Sequence, residues 1–153
     1  MRRSLPALIV TLWLPLLVAS TATADDEGLR CHQGLLDGLY VFSASGSAIP
    51  ASGPSFPKAI IEVLRFRGDG TVETPASFLN MNGTPIAQVP GGAGTYTVTG
   101  LTPPEGVCIG TLTFNDPPHP MFNLVIGLEG RRIWLIMTNP ASVFEGQAVK
   151  VSH

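Results

Sequence analysis

Apolar and polar side chains alternate with a period of two along most of this chain, the pattern a half-buried strand requires. Tyr96 and Val98 oppose Thr95, Thr97 and Thr99, and Leu112 and Phe114 oppose Thr111 and Thr113. The same reading gives Phe122, Leu124, Ile126 and Leu128 one face, and sets Ile133, Leu135 and Met137 against Trp134 and Ile136. Predicted strands cover Leu35–Gly46, Lys58–Arg67, Thr71–Asn80, Gly94–Gly100, Cys108–Phe114, Phe122–Leu128, Arg131–Thr138 and Val143–Val151. No segment carries a convincing helical period.

Glycine and asparagine punctuate these runs where tight hairpins need positive φ, at Arg67–Gly70 and Met81–Thr84, with further turns at Glu129-Gly130 and Asn139-Pro140. Pro85–Gly92 reads as a lead into the fourth strand, and Asn115–Pro120 as a loop. Ser47–Pro57 holds Pro50, Gly53, Pro54 and Pro57, so it reads as a surface loop at one end of the fold. It is either a gate for a ligand or a plain connection. About eight strands with short links predict an all-β fold, a single antiparallel up-and-down barrel whose closure removes exposed edges. A two-sheet β-sandwich is the alternative.

The first residues change the picture of where this barrel works. Met-Arg-Arg, an apolar run from Leu5 to Ala19 and then small residues up to Ala24 form the three parts of a secretory signal peptide. The expected organisation is a signal peptide over 1–24, a link over 25–34 carrying Cys31, and the barrel over 35–153. The apolar run is short for a bilayer span and contains Pro6 and Pro15, so no stable membrane insertion is expected after cleavage. Cys31 follows acidic residues and Arg30 rather than small residues, which is the wrong setting for a lipid-acceptor cysteine. The expected destination is the periplasm or the outside of the cell.

Loss of Arg2 and Arg3 with the leader takes nine basic residues to seven against eleven acids, a formal charge of −4. No basic cluster remains to neutralise phosphates, so nucleic acid is not an expected partner. Two cysteines in an exported chain read as one disulfide, Cys31 to Cys108. His32 adjoins Cys31, but no other Cys or His stands at ligand spacing, and neither a metal nor another cofactor is expected.

The order of these features resembles a group of secreted bacterial proteins of unassigned function. The residues that carry the resemblance are Cys31, Gly38-Leu39-Tyr40-Val41-Phe42 with Ser45-Gly46, Gly68-Asp69-Gly70, Asn82-Gly83, Gly94-Thr95-Tyr96-Thr97-Val98 and Cys108-Ile109-Gly110-Thr111-Leu112-Thr113. The resemblance implies a barrel similar to the allene oxide cyclase and lipocalin-like folds, and it carries no catalytic residue across. Val143–Ala148 is similar to the Phe-x-Gly closing strand of plant allene oxide cyclases and dirigent proteins. Here Asn139-Pro140-Ala141-Ser142 replaces the glycine-rich turn those families place before it.

Candidate chemistry is sparse. Glu62 shares a strand face with Ile60, Leu64 and Phe66, while Ile61, Val63, Arg65 and Arg67 occupy the other. If the first face is interior, a carboxylate enters an apolar cavity with its pKa raised, as a general acid or base requires. If the second is interior, Glu62 pairs with a basic neighbour in solvent. Tyr40, Phe42, Leu64, Phe66, Tyr96 and Asn123 are the candidate ligand contacts. The tyrosines are alternatively core aromatics with hydroxyls reaching a barrel end, and Asn123 is alternatively an outward sheet residue. Trp134 opens either an exposed contact patch or a covered one. No nucleophile elbow or phosphate-cradling loop is recognisable. The expected function is binding of a small apolar molecule, or a structural or interaction role with a partner the sequence does not name; an isomerase or cyclase of allene oxide type is the catalytic alternative.

Overall fold

The computed structural model describes residues 31–88, 92–100 and 107–152. The expected signal peptide over 1–24 and the link as far as Arg30 lie outside the described residues. Among the described residues nine strands follow one another without a long helix: β1 (Asp37–Ala48), β2 (Phe56–Arg67), β3 (Thr71–Met81), β4 (Thr84–Gln88), β5 (Gly92–Gly100), β6 (Cys108–Phe114), β7 (Met121–Gly127), β8 (Arg132–Met137) and β9 (Ser142–Ser152). All neighbouring pairs are antiparallel. Eight of the strands close into an up-and-down barrel, with β9 returning to pair β1 from Ser142 to Ser152.

The ninth strand was not expected. Residues 84–88 form β4, which extends a hairpin from the end of β3 and pairs Ser77 to Met81. The hairpin turn is the one read from Asn82-Gly83, whose φ angles of 51° and 83° are the left-handed pair such turns demand. The expected loop Ser47–Pro57 is shorter than its prolines imply: β1 runs to Ala48, β2 starts at Phe56, and Pro57 pairs with Ser47 at the extremity of the ladder. Proline is tolerated there because a strand end leaves its missing donor without consequence.

Alternation puts one side chain in two into the barrel. Tyr40, Phe42, Leu64, Phe66, Tyr96, Leu112, Leu124, Ile133 and Leu135 are buried. Strand β9 passes so close to β1 that a Cβ at Gly146 would stand 2.1 Å from the carbonyl oxygen of Ser43, so closure needs glycine at this position.

The two ends of the barrel are built differently. At the β1 start, a 3-10 turn at Gln33–Leu35 folds across the opening and delivers the fully buried Leu36. Tyr96 Oη lies 2.8 Å from the Leu36 carbonyl and 3.0 Å from that of Gln33, and Tyr40 Oη donates to the Gly130 carbonyl at 2.6 Å. Phe66 stands edge-on to both tyrosine rings, with centroids 5.1 and 5.0 Å away. The Cys31–Cys108 disulfide fastens the turn to the start of β6. At this end the barrel is a packed core under a plug.

Strand lengths shape the other end. β1 and β2 are twelve residues long and β3 and β9 eleven, whereas β6 and β7 are seven and β8 six. One wall therefore stands taller than the wall facing it.

Two outcomes follow for the plug. Replacing both Cys31 and Cys108 by serine should lower unfolding stability by about 4 to 5 kcal/mol in the chain-entropy account of a loop this long, read by urea unfolding. Tyr96→Phe removes a hydroxyl that bonds the Gln33 and Leu36 carbonyls, which keep the Leu36 and Gly68 N–H groups as donors, and should cost about 0.5 to 1.5 kcal/mol in the same assay. An unchanged midpoint in either variant would mean the plug does not hold the barrel.

Candidate functional site

Above the packed half, the taller wall and the loops after β6 and β8 enclose a chamber of about 700 Å³. That is within the range of small-molecule sites, roughly 300 to 1,000 Å³. Its walls are mainly apolar, from Phe42, Ile60, Leu79, Phe114, Phe122 and Phe144. The Asp116–Pro118 and Asn139–Ser142 segments line its mouth. Asn139 stitches these two loops together: its Oδ1 accepts from the Met121 backbone N–H at 2.6 Å, and its Nδ2 donates to the His119 carbonyl at 3.2 Å. Of the Ser47–Pro57 stretch, read as either a gate or a plain connection, Ala48 at the end of β1 lines the chamber and residues 49–55 do not.

Strand β2 faces the chamber with Lys58, Ile60 and Glu62. Register decides this face: Glu62 stands opposite Phe42 of β1 and Ser77 of β3, both of which point inward. The alternative in which Glu62 meets a basic neighbour in solvent is not what the fold adopts. Arg65 and Arg67 lie on the outer face and pair with Glu73 instead.

Glu62 is only 9% exposed. Desolvation by the apolar walls pushes its carboxyl up from 4.5 to about 7, and a hydrogen bond from Ser77 opposes part of that rise. Nearer the mouth, Lys58 Nζ is 3.1 Å from Ser142 Oγ and 4.2 Å from the centre of the Phe144 ring, and burial lowers its pKa. Thr74, 4% exposed, also lines the chamber, and its Oγ1 has no hydrogen-bond partner among the described residues.

Thr74 and Ser77 were missed by the sequence reading for a definite reason. Three residues apart on a regular strand, they would point to opposite faces. The β2–β3 ladder slips register between Val63 and Arg65, and across that irregularity both become buried. The alternation of β3 is broken at Pro75-Ala76, and that break was the one available signal.

Of the residues read as ligand contacts, Phe42 lines the chamber. Tyr40, Leu64, Phe66 and Tyr96 are buried in the packed half and do not line it. Both tyrosines follow the core alternative, with hydroxyls bonded at the plugged end. Asn123 is exposed on the outside of β7, beside Val125, Trp134 and Ile136 in an outer depression of about 770 Å³. Trp134 is 44% exposed there. The chamber is the better candidate, because it combines apolar walls with polar atoms withdrawn from water. Among the described residues no group of three or more His, Cys, Asp or Glu could hold a metal ion.

The raised pKa of Glu62 has a sign that can be tested. Between pH 4.5 and 7 the folded chain keeps a proton that the unfolded chain has released, so folding is favoured at acid pH. This contribution is complete below about pH 4.5 and disappears as pH rises through about 7. The gap corresponds to up to about 3 kcal/mol. Urea unfolding at pH 5 and pH 8 should show wild type losing stability relative to Glu62→Gln across that interval. Parallel profiles would show that Glu62 titrates as a solvent carboxyl does.

Comparison with protein-family models, with curated proteins and with solved structures finds no match, so the reading of the chamber rests on this chain's own residues.

Proposed function

We propose that this protein binds a small, largely apolar molecule in the open half of the barrel, in an exported and oxidising setting. The observation that carries the reading is the chamber itself. A barrel that served only as scaffold would gain stability by filling this half as it fills the other, since each buried methylene contributes about 0.8 kcal/mol. Instead small residues, Ala48, Thr74 and Ser77, stand where larger side chains could pack. The Cys31–Cys108 disulfide is consistent with an oxidising compartment. No helix among the described residues is long and apolar enough to cross a membrane. The disulfide agrees with the leader-like sequence ahead of the barrel.

A second reading draws on Glu62. A buried carboxyl with a pKa of about 7 is suited to proton transfer near neutral pH, which is what an isomerase or cyclase would use. The two readings part at the ligand: a binding protein releases it unchanged, and an isomerase releases a rearranged product.

Native mass spectrometry of the exported, oxidised protein should show a non-covalent excess mass that vanishes on denaturation. The neutral apolar fluorophore N-phenyl-1-naphthylamine should bind with enhanced emission. Ala48→Trp, which sets an indole into the chamber, should weaken that probe by roughly tenfold or more, about 1.4 kcal/mol, without lowering the unfolding midpoint. Absence of both excess mass and probe binding would defeat the binding reading and return attention to the outer face around Trp134.

A further inference from the structure

The chamber's polar groups bear on what kind of molecule it takes, and the inference rests on the binding reading above. Three titratable side chains line it: Lys58, Glu62 and Asp116. Glu62 projects from the middle of β2, and the groups facing it from the adjoining strands are Phe42 of β1 and Ser77 of β3, neither of them charged. Asp116 belongs to the loop after β6 at the mouth and carries the same sign as Glu62. Lys58 lies on the same face of β2 four residues away, about 13 Å along an extended strand. Its ammonium is already engaged by the Ser142 hydroxyl and the Phe144 ring. Among the described residues no cation in the chamber therefore answers Glu62.

Thr74 supplies the second, independent observation. It is more than nine-tenths buried, lines the same chamber from the next strand, and holds an Oγ1 without a hydrogen-bond partner among the described residues. A buried hydroxyl left so is costly unless something arrives to bond it. An ionised carboxylate can only accept hydrogen bonds, and a threonine oxygen accepts as readily as it donates. Two acceptors on neighbouring strands, surrounded by aromatic and aliphatic walls, are complementary to a group with several N–H donors and a positive charge.

We propose that the ligand is an apolar amine: a hydrocarbon chain or ring system carrying one protonated nitrogen, which donates to the Glu62 carboxylate and the Thr74 hydroxyl inside the chamber. An ammonium offsets the buried negative charge, and its hydrogen bonds to a charged acceptor are about twice as strong as neutral ones. A neutral alcohol leaves that charge uncompensated. A carboxylate places two anions together, with Lys58 too near the mouth and already engaged.

The experiment is displacement of bound N-phenyl-1-naphthylamine from the oxidised protein at pH 8 and low salt by dodecylamine, dodecanol and dodecanoate, each below its micelle concentration. Dodecylamine should compete at least roughly tenfold more tightly than the other two. Glu62→Gln should erase that preference while still binding the probe. Thr74→Val, which keeps the side-chain shape, should weaken the amine roughly threefold to tenfold relative to dodecanol. Lowering the pH from 8 to 5, which protonates Glu62, should weaken the amine and remove its advantage over dodecanol. Equal competition by amine and alcohol, tighter dodecanoate, or an amine preference that survives in Glu62→Gln overturns the proposal while the chamber reading stands. Failure of the probe to bind wild type overturns this proposal, and together with the absence of an excess mass in the native spectrum it overturns the binding reading as well.

Discussion

When the β9 ladder closes onto β1 between Ser142 and Ser152, every inward side chain has to share one enclosed volume, and each of the eight strands has a partner on both sides. Removing the edges satisfies the backbone donors and acceptors that an open sheet would leave exposed. It also makes the interior unforgiving, because a residue on the inner face cannot reach solvent through the wall. The close approach at Gly146 belongs to this constraint, since a side chain there would push β9 away from the Ser43 carbonyl. Closure in turn gives the alternating pattern its meaning: one face is core and the other is surface.

Within that closed wall the chain treats the two halves differently. Around Tyr40, Phe66 and Tyr96 it fills the space with interlocking rings and brings in backbone carbonyls to receive both hydroxyls. The plug that supplies the Gln33 and Leu36 carbonyls to Tyr96 is held by a covalent bond to β6, while the Gly130 carbonyl that receives the Tyr40 hydroxyl belongs to the turn between β7 and β8. In the other half the rings stand around the space instead of filling it, with Phe42 edge-on to Phe122 and Phe122 edge-on to Phe114. The unequal heights of the two walls leave a mouth there, bounded by loops that Asn139 ties together. A rigid, stapled half can carry the stability that an unfilled half gives up.

The unfilled half also holds the fold's least comfortable groups. Glu62 is kept from water with only a serine to bond its carboxylate, and Thr74 is buried with its hydroxyl unserved among the described residues. Stability alone would favour leucine or valine at both positions. Local departures of this kind, in a chain otherwise consistent in pattern, turn chemistry and packing, are where a ligand site is expected.

The sequence by itself determined eight of the nine strands, most of the turns and the cysteine pairing, because period-two alternation, positive-φ dipeptides and a count of two cysteines are local signals; it left barrel and two-sheet sandwich both open, and the β9–β1 pairing decided for the barrel. It also singled out Glu62 as the residue whose environment mattered. It could not choose the face of β2, since Ile60, Leu64 and Phe66 on one side and Ile61 and Val63 on the other are equally fit for a core. Only pairing with β1 and β3 made that choice, by setting Glu62 opposite Phe42 and Ser77. The division of the barrel into a packed and an open half was equally invisible, because Tyr40 and Phe42 carry the same periodic signal and differ only in their height along the axis. The irregularity between Val63 and Arg65 is the deepest reason: it turns Thr74 and Ser77 inward together against their spacing, and a slip between two strands is a property of their contact that neither strand contains alone.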